Sequence, residues 1–354
     1  MFSAARKVVE QAITERAFPA LVVEVGDATQ PLWRETFGRL TFDAGAPPAA
    51  EDTVFDLASL TKVLSTTPLL MQQVERGAIA LDDPVMRHIT AWQRFDRGLE
   101  QGSDRAAVTV RDLLAHCSGL PAYRPFFRDY RGRAEFEDAI ARTPLDYIPG
   151  TASVYSDLGF MLLGFMLDDD VSLAARFDTL RAQMAIVDDL QFNPPPQWAW
   201  RTAPTEFDPW RGRLLVGDVH DENASALGGV AGHAGLFGTV AAVGASARHV
   251  LQVLDGRIGA FRRDTLELFI TRRADVPGSS RALGWDTMMP TSSCGSRMSP
   301  RAFGHTGFTG TSLWIDPDRG VYAALLTNRV QPTRDNDAIK HVRPAVHDAI
   351  WEEL

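Results

Sequence analysis

Ser59-Leu60-Thr61-Lys62 begins an apolar helical stripe that runs to about residue 76 of this 354-residue chain. One helical turn brings the serine hydroxyl and the lysine amine onto the same face, close enough for the amine to accept the hydroxyl proton. Arginine cannot lose its proton in a protein, whereas a desolvated lysine can. Only three of the 36 lysine and arginine residues are lysines, and Lys62 alone has a serine three residues before it. We therefore interpret Ser59 as a nucleophile and Lys62 as its proton acceptor.

This chemistry requires a neutral amine on Lys62. An ordinary lysine has a pKa of about 10.4, so the site is expected to lower that pKa by roughly 3 units, through burial or a neighbouring cation. The alternative is that Ser59 caps a helix and Lys62 carries a solvated charge. A serine followed three residues later by a lysine is common by chance, so other elements have to decide between the two.

Two further elements supply groups for the same chemistry. Tyr155-Ser156-Asp157 precedes the apolar helix predicted for residues 158–167, where a tyrosine hydroxyl at the helix start can relay a proton to a leaving group. His305-Thr306-Gly307 precedes a strand-like run, and its glycine lets a substrate approach the strand edge. The next amide, on Phe308, is expected to form an oxyanion hole with the amide of Ser59. Taken singly, the two elements also fit a half-buried tyrosine before a helix-capping aspartate, and an ordinary turn.

Together the three elements resemble the superfamily of class C β-lactamases, D,D-peptidases and related esterases. The resemblance rests on the order and the wide spacing of Ser59-x-x-Lys62, Tyr155-x-Asp157 and His305-Thr306-Gly307. The joint match is far more specific than any one part, because all three elements fall in the right order and local context. Similar stretches extend it over most of the chain, at residues 56–58, 81–85 and 113–121.

The resemblance implies an α/β fold of the β-lactamase and transpeptidase type, in which helices flank an antiparallel sheet and a mostly helical domain is inserted. The chain itself agrees with this, because β-like runs lie near both ends and helix candidates lie between them. We expect a discontinuous sheet domain of residues 1–80 and 225–354, and a helical insertion of residues 81–224. An active site is expected where the two meet.

The resemblance also implies a mechanism through an acyl-enzyme. Ser59 attacks the carbonyl of an ester or amide, while Lys62 and Tyr155 move protons. Thr306 and Gly307 contact the substrate. The same lysine and tyrosine are expected to activate the deacylating water, since no glutamate occupies a recognisable position for a dedicated base.

Two catalytic candidates depart from the pattern of the family. Asp157 stands where the family often has asparagine, and His305 stands where many members have a lysine that meets a substrate carboxylate. Histidine, mostly neutral at pH 7, would hold a carboxylate less firmly. The activities predicted are therefore those of an esterase, an amidase or a peptidase, with weak β-lactamase activity as a further alternative.

A narrower likeness concerns residues 204–213, 219–224 and 228–237. These stretches look similar to a bacterial subgroup that includes muropeptide-recycling amidases, which cut between N-acetylmuramic acid and L-alanine. In that case the segment frames the cleft, and the candidate substrate contacts are Arg211, His220 and Asp221. The alternative is a salt-bridged loop that holds the two domains together.

Composition narrows the partners and the location. A formal net charge of -9 repels nucleic acid and anionic lipid surfaces, so we expect neither a nucleic-acid nor a membrane partner. Residues 3–16 predict an amphipathic helix instead of a signal peptide, and the two cysteines, Cys117 and Cys294, fit a reducing compartment. We expect a cytoplasmic enzyme that acts on a small molecule or a peptidoglycan fragment without a cofactor or metal. The sequence leaves the oligomeric state open.

Two other functions stand beside the serine hydrolase. One is a metal-dependent hydrolase, whose candidate ligands are His116, His220, Asp221, Glu222 and His233. No pair of these has the H-E-x-x-H or H-x-H spacing. The other is a catalytically inactive module of the same fold, which would need no reactive groups, whereas all three elements here keep reactive side chains. We therefore predict a serine hydrolase that acts through an acyl-enzyme.

Overall fold

A computed structural model describes residues 2–96 and 104–354 of the chain. Its strands are β1 (Ala20–Asp27), β2 (Pro31–Gly38), β3 (Phe55–Asp56), β4 (Leu190–Phe192), β5 (Phe207–Asp208), β6 (Arg213–Leu214), β7 (Leu236–Gly238), β8 (Asp286–Thr287), β9 (Phe303–Thr306), β10 (Ser312–Asp316) and β11 (Val321–Thr327). Its α-helices are α1 (Ser3–Thr14), α2 (Thr67–Glu75), α3 (Thr90–Asp96), α4 (Val110–Leu114), α5 (Gly132–Arg142), α6 (Asp157–Leu167), α7 (Leu173–Gln183), α8 (Glu222–Ala226), α9 (Val240–Leu254), α10 (Arg263–Ile270) and α11 (Ile339–Glu353). A π-helical turn covers Lys62–Thr66, and 3₁₀ turns cover Val85–Arg87, Asp104–Ala107, Phe126–Arg128 and Pro196–Arg201. In these two ranges, no helix has both the length and the apolar character needed to cross a bilayer.

Six of the strands form one antiparallel sheet in the order β2-β1-β11-β10-β9-β8. β1 and β11 are neighbours, with Leu21 opposite Thr327 and Asp27 opposite Val321, although they come from opposite ends of the chain. The β-like runs near residues 20–25 and 32–37 pair as the hairpin of β1 and β2. The predicted antiparallel sheet flanked by helices is confirmed.

Successive residues of β1 point to opposite faces of the sheet and so enter two different cores. Leu21, Val23 and Val25 pack in the core that also contains the apolar residues of α1 and α11. Ala20 and Val22 belong to a larger core, which includes residues of α9 and of the helices that follow residue 80. Because both faces of β1 are buried, its sequence is apolar almost throughout instead of alternating with polar residues.

The division into residues 1–80 plus 225–354 and residues 81–224 stays a prediction. In the described part of the second segment most elements are helical, from α3 to α7. β4 also comes from that segment, and it pairs with β7, which in turn pairs with β3. This three-stranded sheet contains strands of both segments, and its strand β3 ends three residues before Ser59.

The helix that follows Ser59 changes its pitch near its start. In the π-helical turn, the N–H of Thr67 bonds to the carbonyl of Lys62, five residues earlier. α2 continues directly from this turn at Thr67, and Pro68, which has no N–H to donate, comes immediately after the wider turn. Pro68 is therefore compatible with the helix, and the wider turn before it carries Lys62.

α6 packs against the segment of residues 228–237 at a point where only glycine fits. A Cβ atom on Gly232 would lie 2.2 Å from the carbonyl oxygen of Phe160 and 2.7 Å from the Cα atom of Gly164. The next carbonyl, that of His233, accepts a hydrogen bond from Lys62 Nζ. The close approach therefore places this segment beside the lysine.

We expect Gly232→Ala to lower the free energy of unfolding by about 1–3 kcal/mol, because the added methyl group has to displace the backbone of α6. Urea denaturation measures the change. Gly45→Ala is the control, since a Cβ atom at Gly45 meets no atom within 4 Å. Equal loss of stability in the two variants would contradict the close packing at Gly232.

Candidate active site

Ser59 lies at a sharp turn between β3 and the helix that follows it. The preceding residue, Ala58, has a φ of 46°, in the left-handed region that side chains other than glycine rarely adopt. Its N–H donates to Asp56 Oδ1 over 2.8 Å, which helps to hold this conformation. Such local strain is common at functional sites, where the surrounding structure maintains it. The turn places Ser59 in the wall of a cavity.

The loop after β9 holds the serine segment from the other side. Thr309 Oγ1 donates to the carbonyl of Asp56 over 2.7 Å, and Thr311 Oγ1 donates to the carbonyl of Leu57 over 3.1 Å. A Cβ atom on Gly307 would lie 2.6 Å from the Leu57 carbonyl oxygen, so this position requires glycine. The loop that follows His305 and Thr306 is therefore bonded directly to the backbone that leads to Ser59.

Lys62 is fully buried, and its Nζ atom donates three hydrogen bonds. The acceptors are Ser59 Oγ at 3.0 Å, Asp157 Oδ1 at 2.7 Å and the carbonyl of His233 at 2.9 Å. Burial acts to lower the pKa of Lys62, but the Asp157 carboxylate outweighs it and the pKa lies above its ordinary value. The expectation that the site lowers this pKa is therefore wrong, because the nearest charge is an anion. Lys62 is an ammonium in the resting enzyme.

Asp157 is the first residue of α6, directly after the N-cap residue Ser156, whose hydroxyl accepts from the N–H of Gly159. A carboxylate is stable at a helix N-terminus because the free N–H groups there carry partial positive charge. The side chain is also anchored through its own backbone, since the Asp157 N–H donates to the carbonyl of Ala122 over 3.0 Å. An asparagine here would offer Lys62 an acceptor without the charge.

Tyr155 points its hydroxyl into the same site. The Oη atom is buried and interacts with the side chains of Lys62 and Ser59. The ammonium of Lys62 lies 4.9 Å from the centre of the tyrosine ring. Burial raises the pKa of Tyr155, and the nearby Lys62 opposes that change only in part. At neutral pH the residue is therefore a phenol that can both accept and donate a proton.

His305 is neutral in this environment. Burial, followed by the charges of Arg281 and Lys62, holds its pKa well below the ordinary value. Its Nδ1 atom lies 2.8 Å from the carbonyl of Thr306, so the ring proton is assigned to Nδ1. The Nε2 atom is then a lone-pair acceptor, and it is buried without a partner among the residues described. Unlike a lysine, this side chain brings no positive charge to the site.

The amides of Ser59 and Phe308 are free to bind an oxyanion. Neither N–H donates a hydrogen bond within residues 2–96 and 104–354. Both residues line the cavity, together with Thr306 and Gly307. The cavity has a volume of about 560 Å³, which is large enough for a small molecule or the end of a peptidoglycan fragment.

The three substrate contacts predicted from residues 204–237 lie in different surroundings. His220 and Asp221 line the cavity, whereas Arg211 is not among its lining residues. Arg211 pairs with Asp208 and donates to the carbonyls of Val219 and His220. These bonds favour the alternative of a salt-bridged loop for Arg211, and its contact with a substrate stays a prediction.

His220 and Asp221 are themselves tied to neighbouring side chains. His220 Nε2 lies 2.9 Å from Glu206 Oε1, and its N–H donates to Asp56 Oδ2 over 2.6 Å. Asp221 caps α8, and its Oδ1 atom accepts from His233 Nε2 over 2.8 Å. Among the residues that the structure describes, no group of three or more His, Cys, Asp or Glu side chains is arranged to hold a metal ion.

His116 is a neighbour of the site that the sequence presents only as an alternative metal ligand. Its ring packs on Tyr155 with the centroids 4.6 Å apart, and its Nδ1 accepts from the N–H of Ser156 over 3.0 Å. Burial, followed by the charges of Arg281 and Lys62, holds the pKa of His116 well below its ordinary value. The likeness of residues 113–121 to the family was its one signal in the sequence.

Arg281 and the carbonyl of His233 have no such signal. Arg281 lines the cavity and lies 5.1 Å from the centre of the Tyr155 ring, but arginine is too frequent in this chain for one position to stand out. The carbonyl of His233 accepts from Lys62, and a backbone acceptor leaves no trace in the residue type. These two groups become visible only in the folded chain.

Comparison with known proteins gives consistent results. The family model described as Beta-lactamase matches residues 5–347. The N-acetylmuramyl-L-alanine amidase of Bacillus subtilis (strain 168) is 33% identical over 304 residues, which are 78% of this chain and 68% of the relative. A putative D-alanyl-D-alanine carboxypeptidase of Salmonella typhi is 31% identical over 318 residues, which are 79% of this chain and 70% of the relative.

Among solved structures, a novel penicillin-binding protein homologue from Caulobacter crescentus superposes with a TM-score of 0.74. The match covers 100% of this chain and 97% of the other, at 21% sequence identity. Two chains with so little identity share their fold without necessarily sharing a substrate. The superposition therefore supports the architecture described above.

The effect of Asp157 on Lys62 can be tested directly, because the chain has only three lysines, Lys7, Lys62 and Lys340. We expect Asp157→Asn to lower the pKa of Lys62 by about 1–3 units, since burial then acts without the opposing carboxylate. NMR titration of the lysines labelled with ¹³C at Cε measures this. Asp129→Asn removes the same charge from an exposed position and is the control. An unchanged Lys62 titration in Asp157→Asn would contradict the ion pair.

Proposed function

The chain belongs to the β-lactamase family, and from this membership we propose that this serine hydrolase works through an acyl-enzyme on Ser59. The observation that carries the proposal is the hydrogen bond of 3.0 Å between Lys62 Nζ and Ser59 Oγ. The same Nζ atom lies 2.7 Å from Asp157 Oδ1. Hydrogen bonds therefore connect the nucleophile Ser59 to the proton carrier Lys62, and Lys62 to the proton acceptor Asp157.

Lys62 and Asp157 act together as the base. A proton that passes from Lys62 Nζ to Asp157 leaves a neutral amine, which accepts the Ser59 proton as Oγ attacks the substrate carbonyl. The attraction within the ion pair opposes this step, and burial lowers its cost, because desolvation penalises the charged lysine and carboxylate more than their neutral forms. The site thereby supplies the neutral amine that the reaction requires, although the lysine is charged at rest.

The remaining groups serve the later steps. As the bond between Ser59 Oγ and the carbonyl carbon forms, the carbonyl oxygen becomes an anion and binds the amides of Ser59 and Phe308. Tyr155 passes a proton from Lys62 to the leaving nitrogen or oxygen, and the bond to the leaving group breaks. Water then attacks the acyl-enzyme with the same proton carriers, which releases the acid and restores Ser59.

We propose that the substrate is the amide between N-acetylmuramic acid and L-alanine. The relative from Bacillus subtilis is named for this bond, and residues 204–237, which look similar to such amidases, contribute His220 and Asp221 to the cavity. The neutral His305 supports an open-chain amide over a penicillin, because it brings no cation to the position where a lysine would meet the penicillin carboxylate.

A cytoplasmic location belongs to the same proposal. Cys117 and Cys294 are both buried free thiols, and burial raises the pKa of each to about 12. Unpaired cysteines are usual in a reducing compartment. The net charge of -9 supports a small-molecule substrate over nucleic acid or an anionic membrane.

We expect Ser59→Ala to lower turnover by about 10⁴-fold or more, because the acyl-enzyme cannot form. Intact-protein mass spectrometry after treatment with a fluorophosphonate is the second readout, with one adduct on the wild type and none on Ser59→Ala. The control is Ser153→Ala, which changes a different serine, two residues before Tyr155. A phosphonate adduct on Ser59→Ala would place the nucleophile elsewhere.

The choice of substrate is tested by following which alanine is released. We expect L-alanine from N-acetylmuramyl-L-alanine, with a kcat/KM at least about tenfold above that for D-alanine release from an acyl-D-alanyl-D-alanine peptide. Penicillin hydrolysis is expected to be slower than both. Faster release of D-alanine would instead favour a carboxypeptidase, in line with the name of the Salmonella relative.

A further inference from the structure

Part of the cavity wall is rich in hydrogen-bond acceptors that the proposed reaction does not use. It is formed by Tyr123, Asp221, Glu222 and His233, which we call the acceptor wall. Asp221 Oδ2, Glu222 Oε2 and the hydroxyl of Tyr123 have no hydrogen-bond partner in the described residues. His233 and Ala224 hold the pKa of Asp221 at about 2 although burial acts to raise it, so its carboxylate only accepts.

His233 adds a buried polar atom to this wall. The residue is 1% exposed, and its Nε2 atom lies 2.8 Å from Asp221 Oδ1. Its other ring nitrogen, Nδ1, is buried and has no partner within residues 2–96 and 104–354. Leaving a buried polar atom unpaired costs free energy, which points to a ligand that forms a hydrogen bond there.

Part of the negative charge near the wall is already paired. Arg334 lines the same cavity and bonds to both Glu206 and Glu222, which offsets part of their charge. A neutral ligand with several hydroxyl or amide donors meets only acceptors that are still free.

Two aromatic rings complete the surroundings. Phe308 is 49% exposed, and its ring is backed by His220 at 5.5 Å and by Arg329 at 4.4 Å. Tyr123 is 38% exposed in the same cavity. A fixed aromatic ring with one open face suits a ligand that presents a flat array of C–H groups. A pyranose ring has such a face, and donors around its edge.

We propose that the acceptor wall and Phe308 form a subsite for a 2-acetamido pyranose. Its hydroxyl and acetamido N–H groups donate to Asp221 and Glu222, a hydroxyl forms a hydrogen bond with His233 Nδ1, and its C–H face lies on an aromatic ring. The inference rests on the proposed function, because the sugar has to occupy this subsite while the carbonyl attached to it reaches Ser59.

The test compares two ligands with the same amide: N-acetylmuramyl-L-alanine and 2-methoxypropionyl-L-alanine, in which a methyl ether replaces the sugar. Calorimetric binding to Ser59→Ala is expected to be at least about tenfold tighter for the sugar-bearing ligand. Adding Tyr123→Ala or Glu222→Gln is expected to reduce that ratio about tenfold. Adding Trp200→Ala, which alters an exposed residue outside the cavity, is the control and keeps the ratio.

Equal binding of the two ligands, or a ratio that survives both wall variants, would overturn the subsite. Tighter binding of L-alanine amide, a cation without a sugar, would overturn it as well. Failure of the proposed function looks different, since the wild type would then leave N-acetylmuramyl-L-alanine intact while Ser59→Ala still preferred the sugar-bearing ligand.

Discussion

The three hydrogen bonds of Lys62 join every part of the molecule that the site needs. The lysine comes from the helix after β3, Asp157 begins α6, and His233 belongs to the glycine-rich segment that packs on α6. A fully buried ammonium requires all of these acceptors, because each hydrogen left unpaired would cost desolvation energy. One cation thus fixes the relative positions of two helices and a loop, and it aims the Ser59 hydroxyl at the same point.

The electrostatics of the site depend on which side chains are charged and which are kept neutral by burial. Lys62 and Asp157 remain an ion pair, whereas burial keeps Tyr155, His305 and His116 neutral. In the proposed mechanism one proton neutralises both members of the ion pair, and the two atoms that exchange it, Lys62 Nζ and Asp157 Oδ1, are 2.7 Å apart. The Nε2 atom of His305, which has no partner among the described residues, is then available to a bound molecule or to water.

The sequence was informative where residue type alone carries the chemistry. The scarcity of lysine marked Lys62, the two runs near the termini predicted the antiparallel sheet, and the three elements predicted one cavity that contains Ser59, Tyr155 and His305. It failed on the direction of the pKa shift of Lys62, since the deciding carboxylate is 95 positions away in the chain. The acceptor on His233 is a backbone atom, and Arg211 is engaged by Asp208, so neither could be read from residue types.

The pairing of β1 with β11 also has a consequence during synthesis. The first strand of the sheet leaves the ribosome long before its partner exists, and its apolar faces have to wait for residues 321–327. Contacts between such distant residues form slowly, and unpaired strand edges attract other chains in the meantime. A nascent chain that carries Ser59 and Lys62 but lacks His305 and Phe308 has only one of the two amides proposed for the oxyanion hole. The residues that complete the sheet therefore also complete the proposed site.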